Sequence, residues 1–326
     1  MPEHNLAVLD PDFLALVRTR HAGNPRAMAE LGARLLTGRD APCSPVNAVA
    51  LITEAAQQGD STAWRYLALL SAVGAVRPQN WSDALEALLR AAALGDADAA
   101  RQVQLLREAG IDEADDIVEW LTVAAQGRVL CESPRIVAHA GLFPMAWCEY
   151  LISHAAPRLA PAEVYDVQRG QLKIDPMRTN TRAPFLLLDS NLILQLARTA
   201  LAQAAGMAFD RLEPLEILHY SPGESYRPHV DAFNTEIPKL AEHVRQHGQR
   251  VRTGLIYLND GYEGGETDFP RIDVRYAGRA GDGLVFWNVD DQGALDLRTV
   301  HEGRATTRGE KWLLSQWMRD KEQPPG

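Results

Sequence analysis

The segment Tyr220-Ser-Pro-Gly-Glu-Ser-Tyr226-Arg-Pro-His229-Val-Asp231 sets a turn before a strand-like run and ends on a histidine and a carboxylate two residues apart. On a strand, residues two apart project to the same face. His229 and Asp231 therefore supply an imidazole and a carboxylate side by side, two of the three ligands of a two-histidine, one-carboxylate metal centre. The third has to come from a neighbouring strand. His301, in Arg-Thr-Val-His-Glu-Gly, comes after a series of strand-like segments and is the candidate. Three protein ligands on one face of an octahedron leave three positions open, the arrangement that suits non-heme Fe(II) and dioxygen.

A lone His-x-Asp carries little weight, since short matches arise by chance. A lysine downstream of His301 strengthens it. Lys311 lies ten residues later, in Arg-Gly-Glu-Lys-Trp-Leu-Leu-Ser-Gln-Trp-Met. A lysine in an apolar strand is costly to bury unless it meets an anion. A 2-oxo acid would satisfy both ends of such a site. Its carboxylate and keto oxygens would take two open metal positions, dioxygen the third, and its distal carboxylate would reach Lys311. Taken alone, Lys311 would read as a snorkelling surface lysine.

Around this centre, residues 126–326 read as mostly β. Runs such as LEPLEILHY, RTGLIYLND, GLVFWNV and KWLLSQWM are separated by the turn signals SPGES, YEGGE and RAGDG. Two segments near the start of this half, PMAWCEYLISHAAPRL and DSNLILQLARTALAQAAG, carry helical periodicity instead. Residues 1–125 are rich in Ala and Leu and read as helix throughout. They also repeat with a period of 36: Gly23-Asn24, Gly59-Asp60 and Gly95-Asp96 are in phase, as are Ala27, Ala63 and Ala99, and Gly38 and Gly74. Each unit reads as helix, Gly-containing turn, helix and a Gly-Asp stop. The pattern A-x-x-x-L…G…A…AA-x-x-GD, over about residues 24–108, resembles the Sel-one-like repeats, relatives of the tetratricopeptide class. Such an array is either a structural extension or a surface for a protein partner, substrate or second copy.

Composition limits the function classes. The 326 residues carry 33 Lys+Arg against 43 Asp+Glu, a formal net charge of −10, which argues against a nucleic-acid binder. No apolar run is long enough to span a membrane, and the opening MPEHNLAVLDPDFLALVRTR does not read as a signal peptide. Three widely spaced cysteines, Cys43, Cys131 and Cys148, fit a reducing cytoplasm rather than a disulfide scaffold or a zinc cluster, and Cys131 and Cys148 read as buried thiols.

Taken together, the β-half motifs resemble the prolyl 4-hydroxylase branch of the Fe(II)/2-oxoglutarate-dependent dioxygenases. The resemblance rests on Y-x-x-G-x-x-Y-x-x-H-x-D at Tyr220–Asp231, Y-L-N at Tyr257–Asn259, GGETDFP at Gly264–Pro270, the strand GDGLVFWN at Gly281–Asn288 and the His301–Lys311 spacing. RTNT at Arg178–Thr181 fits the family's entry region. The resemblance covers about residues 130–320. It implies an α+β chain of two domains, with a helical repeat array (1–125) followed by a double-stranded β-helix, or jelly roll, with supporting helices (126–326). It implies that His229, Asp231 and His301 bind Fe(II), that Lys311 holds the C5 carboxylate of 2-oxoglutarate, and that Tyr220 and Tyr257 contact this cosubstrate. Dioxygen is the co-reactant, and ascorbate enters as a reductant. The implied reaction oxidatively decarboxylates 2-oxoglutarate to succinate while hydroxylating a C–H bond, with a prolyl residue of a peptide or protein as the first expectation. A free amino acid or a peptide natural product is the alternative. A non-catalytic repeat and jelly-roll interaction protein and a cupin-type metal protein are the other readings.

Other residues complete the expectations. Trp317 comes after Lys311 on its strand and is placed to flank the substrate. Arg178 and Arg182 could receive a substrate carboxylate or be surface arginines. His243 and His247 are four apart on a predicted helix and read as solvated, with residues 233–250 a lid over the substrate. His219 points away from Tyr220 and reads as packed or exposed. Gly264-Gly265 reads as a tight turn, and Asp290-Asp291 as a solvated loop.

Overall fold

The computed structural model describes residues 11–76, 78–124, 126–166 and 171–323. Seven helices come first: α1 (Pro11–His21), α2 (Pro25–Thr37), α3 (Pro45–Gln57), α4 (Ser61–Val73), α5 (Trp81–Ala93), α6 (Ala97–Glu108) and α7 (Ala114–Ala124). The 36-residue period is a period of helix caps. Asn24, Asp60 and Asp96 are the N-caps of α2, α4 and α6, and their side chains accept from the backbone N–H of Ala27, Ala63 and Ala99 at 3.1, 2.7 and 2.9 Å. Each satisfies a donor that the first turn would otherwise leave orphaned. The glycine before each cap takes a positive φ of 74°, 90° or 87°, which a residue without Cβ adopts at little cost. The Gly-Asp pair read as a stop is thus also the start of the next helix. Small residues set the spacing between helices. Ala48, Ala63, Ala84 and Ala99 are fully buried, and a Cβ on Gly32 of α2 would lie 2.6 Å from Ile52 of α3.

The remaining elements are β1 (Arg128–Cys131), β2 (Ile136–His139), α8 (Met145–Ala155), β3 (Ala160–Pro161), β4 (Val164–Asp166), β5 (Gln171–Lys173), β6 (Thr181–Phe185) and α9 (Leu192–Ala205). They continue with β7 (Leu215–Tyr220), β8 (Tyr226–His229), α10 (Pro238–His247), β9 (Arg250–Tyr257), β10 (Glu263–Gly264), β11 (Thr267–Phe269) and β12 (Val274–Tyr276). The last are β13 (Gly283–Trp287), β14 (His301–Gly303), β15 (Thr306–Arg308) and β16 (Lys311–Arg319). Two antiparallel sheets dominate. The larger has the order β1-β2-β13-β9-β16-β7-β6-β3, and the smaller β12-β11-β14-β8. They form the two walls of the double-stranded β-helix. Leu218, Tyr220, Leu255, Tyr257, Leu284, Phe286 and Leu313 of the larger sheet share one apolar core with Phe269 of the smaller.

Strand parity decides which side chains reach the interior. On β16, Lys311, Leu313, Ser315 and Trp317 line an internal cavity with Thr253 and Leu255 of β9 and Leu218 and Tyr220 of β7. The alternate residues turn to the back of the sheet. There Gln316 accepts from Arg198 of α9 at 3.1 Å, and Leu201 of α9 packs where a Cβ on Gly254 would come within 3.0 Å.

The chain forms two compact units. One comprises residues up to Ile117 together with Leu188–Gln195, and the other Val118–Leu187 together with residues from Leu196 onward. Within the first unit, Gln102 of α6 is almost fully buried and its Oε1 accepts from the backbone N–H of Leu192 at 2.9 Å. Among the described residues, no helix is long and apolar enough to cross a membrane.

Candidate active site

β14 pairs with β8 so that His301 lies directly opposite His229. Asp231 lies two residues beyond His229, and the potential ligand atoms of all three residues fall within 4.8 Å of one another. His229 Nε2 is 3.7 Å from Asp231 Oδ1, and His301 Nε2 is 3.7 Å from Asp231 Oδ2. The other nitrogen of each ring meets backbone. Nδ1 of His229 is 2.8 Å from the carbonyl of Arg227, and Nδ1 of His301 is 3.0 Å from that of Thr299. A carbonyl only accepts, so both Nδ1 atoms carry the proton and both Nε2 lone pairs are free for a metal. Burial, reinforced by His301, pushes the His229 pKa down to about 3, so the ring is neutral at physiological pH. Burial alone would raise the carboxyl of Asp231. The two histidines and a hydrogen bond from Thr253 outweigh it and hold the group below its ordinary value. Two imidazole Nε2 atoms and one carboxylate form a donor set suited to Fe(II), so the residues fit the metal.

Rings brace this centre. Tyr226 stacks on His229 with centroids 3.5 Å apart, and Phe286 and Phe269 flank His301 at 4.8 and 5.5 Å.

Lys311 is 1% exposed and lines the same cavity, in register with Tyr220. Its Nζ donates to the carbonyl of Gly265 at 2.6 Å and lies 5.3 Å from the ring centres of Tyr220 and Tyr257. Among the described residues no carboxylate forms an ion pair with it. Burial pushes its pKa down to about 7, and Glu266 opposes this only in part. A buried ammonium with N–H bonds to spare, lining the same cavity as three metal-type ligands, is chemically suited to one end of a dicarboxylate.

The family pattern described as 2OG-Fe(II) oxygenase superfamily matches residues 215–319. The protein described as probable prolyl 4-hydroxylase 3 of Arabidopsis thaliana is 32% identical over 209 residues, which cover 58% of this chain and 71% of that protein. The chain belongs to the prolyl 4-hydroxylase family. Among solved structures, the 2OG complex of the viral collagen prolyl hydroxylase of Paramecium bursaria Chlorella virus-1 aligns with a TM-score of 0.44 and 24% identity, covering 58% of this chain and 98% of that one. A Sel1 repeat protein from Oxalobacter formigenes aligns with a TM-score of 0.30 and 25% identity, covering 32% of this chain and 77% of that one. Fe(II) and 2-oxoglutarate are the cofactor and cosubstrate of this prolyl 4-hydroxylase homologue.

The other anticipated residues fall into distinct places. Tyr220 lines the cavity beside Lys311. Tyr257 is fully buried in the shared core, its hydroxyl 2.6 Å from that of Thr267, which lines the cavity. A wide cleft adjoins the cavity and shares Arg178, Tyr226, Asp231 and Trp317 with it. Trp317 carries the guanidinium of Arg250 3.9 Å from its ring centre. Arg178 is 6% exposed, so it is no surface arginine. It lies 4.9 Å over the Tyr226 ring and 3.3 Å from Glu216. Arg182 binds Glu216 at 2.6 Å and Glu163 at 3.0 Å. Both guanidinium groups thus pair with carboxylates of the chain itself and line the cleft.

The pair on α10 divides. His247 is exposed, whereas His243 lines the cleft, its Nε2 3.2 Å from Arg319 and its ring 4.8 Å from Phe233. The reading of two solvated histidines holds for one of them only. His219 is packed, its ring 4.5 Å from Trp312 and its Nδ1 3.2 Å from Thr181 Oγ1. Sequence reasoning missed Thr253, Thr267, Glu213 and Arg250. Glu213 takes a bidentate contact from Arg250 at 2.7 and 2.8 Å and a third bond from Arg319 at 2.6 Å. A Glu before a strand and an Arg starting one give no signal until the strands pair.

Proposed function

We propose that the chain is an Fe(II)- and 2-oxoglutarate-dependent hydroxylase of prolyl residues in a peptide or protein. One observation carries the reading: a single cavity is lined by three converging metal-type ligands and by a buried lysine that, among the described residues, no carboxylate pairs with. In this assignment His229, Asp231 and His301 hold the metal, Lys311 holds the C5 carboxylate, Tyr220 borders the cosubstrate, and Tyr257 backs Lys311 and Thr267. Bound Fe(II) supplies the oxidising chemistry that splits 2-oxoglutarate and dioxygen into succinate, carbon dioxide and one oxygen atom for a C–H bond. Leu218, Leu255 and Leu313 exclude water from the cavity. Trp317 and Tyr226 stand where it opens into the cleft, so the substrate ring would rest between them. Arg178 and Arg182, paired with Glu216 and Glu163, form one side of the cleft, and residues 233–250 act as its lid.

The proposed division is a repeat domain at 1–125 and an oxygenase domain at 126–326. The repeats offer a surface to a protein partner, ascorbate serves as reductant, and the setting is the cytoplasm. The test is a succinate-release screen of proline-containing peptides and free amino acids with Fe(II) and ascorbate, followed by mass spectrometry. Succinate formation with a one-oxygen gain on a peptide proline supports the reading. Turnover confined to a free amino acid moves the substrate class. No turnover in the presence of bound metal and cosubstrate favours the interaction-protein alternative.

A further inference from the structure

Asp231 has two oxygens, and the structure treats them differently. Oδ2 accepts the hydroxyl of Thr253 at 2.6 Å, and Oγ1 of Thr253 in turn accepts from Nδ2 of Asn288 at 3.0 Å. Asp231 is 8% exposed, and Thr253 and Asn288 are 1% exposed each. Thr253 belongs to β9, and Asn288 follows β13, whose Phe286 is the cross-strand partner of Thr253. The chain thus crosses between paired strands of the larger sheet to reach a carboxylate presented after β8.

The proton order of this chain is fixed by chemistry. An ionised carboxylate can only accept, so the single hydroxyl proton of Thr253 must point to Asp231. Thr253 Oγ1 is then left as an acceptor, and only the NH₂ side of the Asn288 amide can face it. The reverse amide orientation would aim an oxygen at Thr253 and compete for the same proton. The fold accepts a penalty for this choice, because Oδ1 of Asn288 is buried with no hydrogen-bond partner among the described residues.

We infer that Asn288 and Thr253 are positioning residues that commit Oδ2 of Asp231 to the protein and leave Oδ1 as its one metal-binding oxygen. A carboxylate free to rotate could embrace a metal with both oxygens and consume one of the positions needed for cosubstrate and dioxygen. The Thr253 hydroxyl restrains that rotation, and Asn288 keeps the hydroxyl pointed. This role rests on the proposed assignment of Asp231 as a metal ligand.

The experiment measures Mn(II) affinity of the full chain by electron paramagnetic resonance, without cosubstrate, and then 2-oxoglutarate affinity of the anaerobic Fe(II) form from its absorption band. Circular dichroism checks that each variant is folded. Thr253→Val should weaken Mn(II) binding about 10- to 100-fold, the range usual for lost outer hydrogen bonds to a metal ligand. Thr253→Ser keeps the hydroxyl and should restore most of it. Asn288→Leu should give a smaller loss in the same direction, and its combination with Thr253→Val should be no worse than Thr253→Val alone, because Asn288 acts through Thr253. Two results overturn the inference: a folded Thr253→Val that binds Mn(II) within about twofold of wild type, or a double variant whose loss is the product of the single losses. Failure of wild type to bind Mn(II) is a separate outcome that overturns the metal assignment itself.

Discussion

The helical repeats and the β-helix differ in how far apart in sequence their decisive partners lie. In the repeats the partner is three residues away: Asp60 caps the N–H of Ala63, and Asp96 that of Ala99. In the β-helix it is tens of residues away: His301 faces His229, Thr253 binds Asp231, and Lys311 meets Gly265. Local partners make each repeat nearly self-sufficient in its geometry. The site exists only when the strands are in register, because a slip of one residue would turn every lining side chain to the opposite face. Substitutions in the repeats should therefore act separately on stability, and those in the site should act together on ligand binding.

The largest expected effect tests the second half of that contrast. Lys311→Ala leaves the distal carboxylate without its cation. Loss of one partner of a buried pair costs ~3–5 kcal/mol, or roughly two to four decades in 2-oxoglutarate affinity. Metal binding should survive, and Lys311→Arg should retain part of the cosubstrate affinity. Anaerobic titration of the Fe(II) form measures both.

Lys311 also gives a pH signature. Its pKa in the fold, about 7, lies below its ordinary value of 10.5. Between these values the unfolded chain holds the extra proton, so stability rises with pH across that window, and the full burial penalty applies below about pH 7. Denaturant melts should show this rise, and Lys311→Met should flatten it. Cosubstrate binding near pH ~8 should draw a proton onto Lys311 as the carboxylate restores its charge, which calorimetry in two buffers of different ionisation enthalpy would detect.

Two glycines of like backbone sharpen the comparison. At Gly264, φ is +71° and a Cβ would lie 2.4 Å from the carbonyl oxygen of Ala305, whereas at Gly59, φ is +90° and, among the described residues other than its chain neighbours, nothing lies within 4 Å of such a Cβ. Gly264→Ala should cost ~3 kcal/mol or more. Gly59→Ala should cost only the left-handed strain, about 1–2 kcal/mol. Equal midpoint shifts in urea would break the argument.

The smallest effects belong to the caps. Asp60→Ala and Asp96→Ala should each cost about 1 kcal/mol, and the double variant should add within ~0.5 kcal/mol. Cosubstrate affinity should stay within about twofold of wild type. A non-additive double variant would show that the repeats are less modular than their caps imply.

The same contrast explains what was legible in the sequence. Periodic caps, and ligands held in a short motif such as His229-Val-Asp231, are local patterns and can be read residue by residue. His301 and Lys311 were reachable because their residue types are costly in a strand without a function. Thr253, Thr267 and Asn288 are ordinary strand and strand-end residues, and only register makes them neighbours of Asp231, Tyr257 and Thr253. Arg178 and Arg182 were visible as charges, but their pairing with Glu216 and Glu163 depends on how β6 meets β7. The inclusion of Leu188–Gln195 in the helical unit was equally invisible, because its contacts there, such as the bond from the Leu192 N–H to Gln102, lie far apart along the chain.

The backbone carbonyls that hold Nδ1 of His229 and His301 bear on inheritance. Both belong to the residue two positions earlier, and any amino acid at position 227 or 299 would supply the same carbonyl. No single side-chain replacement deletes these acceptors, so the ring tautomers are insulated from drift at those two positions. Asp231 has no such insurance. Its orientation depends on a hydroxyl and an amide that one codon change can remove, so this ligand is the one through which a lineage could retune or lose the metal while leaving all three ligands in place.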